Sequence, residues 1–185
     1  FDKIEGVTTL CCWAHARRKF YEAKDYDNAN AEKVLAQIQQ LYQIESHCRE
    51  QNFTPEQIKN HRYEYSTPIL NTLEQLLKQL LTKALPGSPL GKAIAYTLKR
   101  WEKLCVYTTN GILQIDNNLI ENSIRPVALG RKNYLFAGGH ERAQDAAMLY
   151  SLFATCRLHN INPEQWLTHL FKNINSTSKE NLHCL

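Results

Sequence analysis

Apolar and polar residues alternate along this chain in a way that divides it into short segments, most of them with helical spacing. Residues 7–12 form an unbroken β-branched and apolar run, which is typical of a buried strand. Helix-forming residues dominate from Trp13 to about Lys24, and the polar residues 25–28 end that helix. The start of the chain therefore predicts a strand followed by a helix.

The middle of the chain predicts helices that pack as hairpins, because no apolar stripe lasts for several heptads. Residues 54–57, Thr-Pro-Glu-Gln, form a helix start in which Thr is the N-cap and Gln bonds back to it. Pro68 predicts a break or kink. Residues 86–87, Pro-Gly, end one helix, and residues 88–89, Ser-Pro, start the next. The apolar stripes are Leu35, Ile38, Leu41 and Tyr42, then Ile69, Leu73, Leu76, Leu77 and Leu80, then Leu90, Ile94, Leu98, Trp101 and Cys105.

A turn at Asn110-Gly111 opens the last third of the chain. Residues 112–115 predict either a short strand or an extended entry into the helix that begins at 116–118. Pro126 predicts that this helix is short or kinked, and residues 130–133 predict a basic loop.

Two further helices and a polar tail complete the pattern. The first helix carries small residues on one face, which predicts close packing against a helix or a sheet. The second is capped at Asn162 and runs through Phe171, and the residues after Asn173 are polar. The first helix's face consists of Ala143, Ala146, Ala147, Tyr150 and Phe153.

Composition limits the class of protein. Hydrophobic residues make up 43% of the chain, enough for a core, and charged residues only 22%, which argues against a disordered tail. The net charge of +4 permits contact with nucleic acid without requiring it. No apolar run is long enough to cross a membrane, and no signal peptide precedes the six scattered cysteines. We therefore expect reduced thiols in a cytoplasmic protein.

The first segment that could carry chemistry is residues 11–20. Arg17, Arg18 and Lys19 are consecutive and lie close to His15 at the start of the predicted helix. Adjacent cations suit a phosphate backbone, whereas the simpler interpretation is a solvated helix face. Cys11 and Cys12, together with His15, lack the fourth ligand of a zinc site, so zinc is not favoured.

The second segment is residues 116–126. Glu121 follows Asn118 by three residues, which is the spacing of a capping box. Alternatively, Glu121 is a metal ligand, because Mg²⁺ prefers carboxylate oxygens and a helix holds such a group firmly. Spacing alone favours the capping interpretation.

The third segment is residues 130–139, which mixes basic, amide, aromatic and glycine residues. Such a mixture can hold a phosphate and stack a base. It is equally consistent with a solvent loop in which Leu135 and Phe136 are buried. The glycine pair at 138–139 does not match a dinucleotide-binding fingerprint.

Taken together, these segments resemble the transposases of insertion sequence sixty-six, in order and in spacing. The resemblance extends from Phe1 to about Phe171 and includes residues 146–152 and 162–167. It is carried by Cys-Trp-Ala-His-Ala-Arg-Arg-Lys-Phe at 12–20, Asp-Asn-Asn-x-x-Glu-Asn-x-Ile-Arg-Pro-x-Ala-Leu-Gly-Arg-Lys-Asn at 116–133, and Leu-Phe-Ala-Gly-Gly at 135–139.

The resemblance implies a ribonuclease-H-like fold, of which this chain is a mostly α C-terminal part with one or two short strands. Residues 1–26 would hold the last core strand and its helix, and residues 27–110 a helical insertion. Residues 111–174 would hold the helix of the catalytic Glu and the closing helices, and residues 175–185 a polar tail.

The resemblance also implies an Asp-Asp-Glu triad that binds two Mg²⁺ or Mn²⁺ ions. By that resemblance Glu121 is the final catalytic carboxylate and a metal ligand, which raises the metal interpretation above the capping one. The other residues that match the motifs are expected to position this carboxylate or to contact DNA. They are His15, Arg17, Arg18, Lys19, Asn117, Asn118, Arg125, Arg131, Lys132 and Asn133.

One departure from the family pattern concerns the two aspartates. In the family both precede the strand before the Cys-Trp-Ala-His motif, and Asp2 aligns just downstream of the second. We therefore expect this chain to start after both aspartates and to retain only one strand of the central sheet.

Two functions follow from the resemblance. The whole enzyme would cut transposon ends and join the 3′-hydroxyl to target DNA, with a second copy and accessory transposition proteins as partners and no membrane. The alternative is a catalytically inactive remnant that binds DNA or oligomerises through the helices at 30–107.

Overall fold

The computed structural model describes the backbone of residues 6–184 and the side chains of residues 6–181. This part of the chain is mostly helical, as expected, and contains no strand. A π-helix spans Arg62–Ser66, and 3₁₀-helices span Val106–Thr109 and Lys179–Cys184. The α-helices are α1 (Trp13–Glu22), α2 (Asn28–Glu50), α3 (Pro55–His61), α4 (Thr67–Leu81), α5 (Pro89–Leu98), α6 (Trp101–Cys105), α7 (Asn118–Tyr134), α8 (His140–Leu158) and α9 (Pro163–Asn173).

The strand predicted at residues 7–12 is wrong, because this segment has no regular secondary structure. The Cys11 amide donates to the Lys103 carbonyl at 3.1 Å, so the segment bonds to α6 and not to a neighbouring strand. Residues 112–115 form turns and bends, which excludes the short-strand alternative for that segment. Asp2 lies outside the described residues.

The chain divides into two compact units, Phe1–Asn118 and Leu119–Leu185. In the first unit, α1 packs on α2 and α5, and α4 packs on α2 and α5 as well. The Trp13 indole anchors this core. Its Nε1 donates to the Leu104 carbonyl at 2.9 Å, and its ring lies edge-on to that of Trp101, with 5.8 Å between the ring centroids. Fully buried side chains include Trp13, Phe20, Ile38, Leu41, Leu73, Leu77 and Ile94.

Several helix starts follow the capping rules that the sequence indicates. The Thr54 amide donates to Gln57 Oε1 at 2.8 Å, and the Gln57 amide donates to Thr54 Oγ1 at 3.4 Å, which completes the predicted capping box. Ser88 and Asn162 cap α5 and α9 without a returning bond: Ser88 Oγ accepts the Gly91 amide, and Asn162 Oδ1 accepts the amides of Glu164 and Gln165. Pro68 does not break the helical run, since it lies in the first turn of α4 directly after the π-helix Arg62–Ser66.

The buried Arg62 guanidinium is the polar centre of the first unit. Its side chain is 1% exposed, and all five of its N–H groups have an acceptor. Nε and Nη2 donate to the two carboxylate oxygens of Glu45 at 2.8 and 2.7 Å. The remaining three N–H groups donate to the carbonyls of Tyr107, Asn110 and Leu113 at 2.7, 2.9 and 2.9 Å.

This arginine fixes a segment that has little regular structure of its own. Its three carbonyl partners span residues 107–113, which lead directly into Asp116 and the start of α7. Gly111 is needed here because a Cβ atom would lie 1.9 Å from the Pro55 carbonyl oxygen. The segment before α7 is therefore held by a buried charge and by a backbone contact that only glycine permits.

In the second unit, the basic loop predicted at residues 130–133 is wrong, because these residues form the last turn of α7. Arg and Lys are good helix formers, and the single glycine costs only about 1 kcal/mol. Gly130 has a packing reason, since a Cβ atom there would lie 2.4 Å from the Tyr150 hydroxyl. The helix ends instead where Leu135 adopts φ of 60°.

The small-residue face of α8 lines a cavity of about 550 Å³ within the second unit, together with residues of α7. Tyr150 of this face contacts α7, where its hydroxyl lies 3.3 Å from that of Tyr134. Leu135 and Phe136 are 76% and 78% exposed, so they are not buried beneath a loop. The predicted close packing of the alanine face is not seen.

Among the described residues, no helix is long and apolar enough to cross a membrane.

We expect Arg62→Met to lower the free energy of unfolding by about 3–5 kcal/mol, because it leaves the Glu45 carboxylate buried without a partner. Urea unfolding followed by circular dichroism measures this loss. A double variant in which Glu45 also becomes Met should recover part of it, since no buried charge then remains.

Lys78→Met is the matched control. It breaks the exposed pair between Lys78 and Glu74, whose atoms lie 2.7 Å apart within α4, and should cost only about 0.5 kcal/mol. An Arg62→Met loss no larger than that of the control would show that the buried pair does not hold the first unit together.

Candidate functional site

Glu121 lies in the first turn of α7, and its side chain is exposed. The helix continues beyond Pro126 to Tyr134, so the proline does not shorten it as expected. Asn118 is the first residue of α7, and its Nδ2 donates to Asp116 Oδ2 at 2.9 Å. Asn118 is therefore not the N-cap that the spacing predicts, and Asp116 Oδ1 accepts the Asn118 backbone N–H at 3.0 Å instead.

The basic run on α1 does not form a single patch. Successive helical residues are rotated by about 100°, so the three cations point in three directions around α1. Arg17 and Arg18 are exposed, whereas Lys19 is half-buried. The three cationic side chains are therefore not side by side, although they are consecutive in the sequence.

Arg17 lines a small cavity within the first unit, with a volume of about 240 Å³. The cavity is also lined by Ala14 of α1, Gln39 and Tyr42 of α2, and Asn118. Two residues predicted to contact DNA, Arg17 and Asn118, are thus brought together across about a hundred positions of sequence. Within the described residues no acidic side chain forms an ion pair with Arg17, although the Asp116 carboxylate accepts hydrogen bonds from Tyr42 and Asn118 of the same cavity.

Asp116 organises the floor of this arrangement. Its Oδ2 accepts hydrogen bonds from the Tyr42 hydroxyl and from Asn118 Nδ2, both at 2.9 Å. Burial, together with the neighbouring Asp116 carboxylate, raises the pKa of the Tyr42 hydroxyl well above its usual range. Tyr42 therefore stays protonated at neutral pH and remains a donor, which ties α2 to the residue two positions before α7.

Lys19 belongs to a second cluster of the first unit. Its Nζ lies 4.6 Å from the centroid of the Tyr96 ring, and the Arg100 guanidinium lies 4.0 Å from the same centroid. Cation–π contacts of this kind hold long side chains in place. Two cations are thereby concentrated around one aromatic ring, on a different side of α1 from Arg17.

The remaining residues predicted to contact DNA, apart from His15, lie at or on α7. Arg125, Lys132 and Asn133 are exposed along the helix, and Arg131 lines the cavity of the second unit among mostly apolar side chains. Asn117 precedes the helix, and its Oδ1 atom is buried without a hydrogen-bond partner. His15 is half-buried on α1.

Among the described residues, no group of three or more His, Cys, Asp or Glu side chains could hold a metal ion. Cys11 and Cys12 are free thiols, as are the three other cysteines whose side chains are described. Burial raises the pKa of Cys105 to about 12, which disfavours the thiolate form that binds metals.

Four residues that were not predicted lie beside predicted ones: Gln39 and Tyr42 in the cavity of Arg17, and Tyr96 and Arg100 next to Lys19. Tyr42 carries a signal, since it falls on the apolar stripe of α2 although it has a hydroxyl group that needs a partner when buried. Gln39, Tyr96 and Arg100 carry none, because their role depends on which helices become neighbours.

Comparisons with known proteins identify relatives over nearly the whole chain. Residues 1–145 match the model of the transposase IS66 family, and residues 151–185 match the IS66 C-terminal element. No solved structure matches the chain significantly.

Among curated proteins, the chain is similar to two uncharacterized proteins of Sinorhizobium fredii strain NGR234. It is 34% identical to y4jD over 90% of this chain and 32% of that protein. It is 32% identical to y4hP over 93% of this chain and 33% of that protein. The chain thus spans about a third of the length of these relatives. Because the family model covers most of its residues, the chain belongs to the IS66 family of transposases.

Proposed function

We propose that this chain acts as part of a DNA transposase, in which Glu121 supplies one carboxylate of the catalytic site. The observation that carries the proposal is the match of residues 1–145 to the transposase family. The position of Glu121 supports it, because the carboxylate is exposed in the first turn of a long helix. A helix of this length holds a carboxylate in a defined direction.

The described residues do not by themselves fit a pair of Mg²⁺ ions. Two-metal sites hold their ions about 4 Å apart and need several carboxylates, and no group of three or more candidate ligands is present in residues 6–181. Under the proposal, the other carboxylates come from a segment corresponding to the part of the relatives that this chain does not match. This chain's own contribution is then Glu121 and contacts to DNA.

Contact with DNA is supported by Arg17 and Arg18. Both are exposed, and neither forms an ion pair within the described residues. Unpaired guanidinium groups bind phosphate oxygens in a bidentate manner. Binding DNA through these contacts does not depend on cutting the DNA. A catalytically inactive remnant would therefore keep this function.

The catalytic role of Glu121 can be tested in a chimera in which this chain replaces the matching third of y4jD. The substrate is a plasmid that carries the DNA flanking the y4jD gene, and the measurement is the rate of Mg²⁺-dependent cleavage. A catalytic metal ligand contributes several kcal/mol to transition-state stabilisation. We therefore expect Glu121→Gln to lower the rate by at least about 10³-fold.

Glu141→Gln is the matched control, because Glu141 is also exposed and lies in the first turn of α8 in the same unit. It should leave the rate unchanged. Equal rates for the two variants would exclude Glu121 from the chemistry.

For the isolated chain we expect weak Mg²⁺ binding and no strand transfer, since one glutamate cannot hold two ions about 4 Å apart. Titration calorimetry measures the binding, and a plasmid-nicking assay measures the cleavage. Mg²⁺-dependent nicking that disappears in Glu121→Gln would contradict this expectation. Nicking that persists in the variant would point to a contaminating nuclease.

DNA binding by the isolated chain should weaken steeply as salt rises, because phosphate contacts release counterions. We expect Arg18→Gln to make the slope of log affinity against log salt shallower by about one. Fluorescence anisotropy with a labelled duplex measures this. Arg49→Gln, an equal change of charge at an exposed position of α2, should have little effect. Affinity that does not depend on salt would exclude phosphate contact by this chain.

A further inference from the structure

We infer that helix α2 takes part in binding DNA, through a phosphate subsite formed by Gln39 together with Arg17 and Asn118. This inference rests on the proposed function and adds to it a binding residue from the helical insertion. The cavity of about 240 Å³ that these side chains line is large enough for one phosphodiester group.

The donors around this cavity suit a phosphate. Arg17 brings a guanidinium group that forms no ion pair within the described residues, and Gln39 is an exposed amide on the facing helix. Asn118 Nδ2 uses one of its two hydrogens on Asp116 at 2.9 Å and keeps the other. A cation flanked by two amide donors is the combination that binds phosphate oxygens.

Asp116 is the carboxylate beside the cavity, and its two oxygens accept hydrogen bonds from three donors. These are the Tyr42 hydroxyl at 2.9 Å, the Asn118 amide at 3.0 Å and Asn118 Nδ2 at 2.9 Å. The bonds hold Tyr42 and Asn118 in place on two walls of the cavity, so its shape is set before a ligand arrives. Tyr42 and Asp116 are therefore positioning residues, and the phosphate contacts belong to Arg17, Gln39 and Asn118.

Two neighbouring glutamines make the inference testable with a matched pair of variants. Gln39 and Gln40 are both exposed on α2, but Gln40 lines a different surface, with Pro68 and Thr72 of α4. Gln39→Glu and Gln40→Glu change the net charge equally and are equally compatible with the helix. Only the first places a negative charge in the cavity.

The experiment measures the affinity of each variant for two duplexes of unrelated sequence, at several salt concentrations. We expect Gln39→Glu to weaken binding about tenfold more than Gln40→Glu at low salt, because like charges repel at short range. The slope of log affinity against log salt should become shallower by about one in Gln39→Glu and should not change in Gln40→Glu. Gln39→Lys should strengthen binding more than Gln40→Lys.

Equal losses for Gln39→Glu and Gln40→Glu would overturn the subsite and leave the proposed function intact. A loss confined to one of the two duplex sequences would overturn it as well, since that result indicates contact with a base edge. Thermal unfolding of each variant confirms that the comparison is made between folded proteins.

If the wild-type chain binds neither duplex, the proposed DNA contact by this chain fails, and the subsite is decided with inorganic phosphate. Phosphate should then shift the NMR signals of the Arg17 Nε–H and Asn118 Nδ2 groups in the wild type. It should shift them much less in Gln39→Glu. Signals that do not move in the wild type would overturn the subsite.

Discussion

The first unit depends on one buried ionic contact, the bidentate pair between Arg62 and Glu45. Burying two charges is costly unless every donor finds an acceptor, and here the five N–H groups of the guanidinium are all used. Three of those bonds end on the backbone of residues 107–113, a segment with only a short 3₁₀-helix of its own. The path of the chain toward α7 is thus set by a side chain of the π-helix Arg62–Ser66.

A second contact from the first unit reaches the segment before α7, through Tyr42 of α2. The Tyr42 hydroxyl bonds to Asp116, two residues before the first residue of the helix that carries Glu121. Side chains of the π-helix and of α2 therefore hold residues 107–116, the segment that leads to α7, near its beginning and at its end.

Much of the helical fold could be predicted from local sequence. Thr54, Ser88 and Asn162 are caps because each places an oxygen beside an amide that the helix leaves unpaired. Local sequence was misleading at residues 7–12, where an apolar run suits a strand but bonds to α6, and at residues 130–133, where Gly130 is a packing position within α7. A strand forms only when it pairs with another strand, and the contacts of a glycine within a helix depend on which helix lies next to it. Neither of these neighbours can be identified from a short stretch of sequence.

The sequence alone determined the helical class, because apolar residues recur at helical spacing, and the family resemblance, because its motifs are local; Glu121 is the candidate carboxylate by that resemblance. The spread of Arg17, Arg18 and Lys19 around α1 also follows from helical geometry once the helix is established. Only the tertiary structure decided that Arg17 shares a cavity with Gln39 and Asn118. It also decided that Lys19 and Arg100 both lie over the ring of Tyr96. Those neighbours are separated by many residues, and the packing of α1 against α2 and α5 is what brings them together.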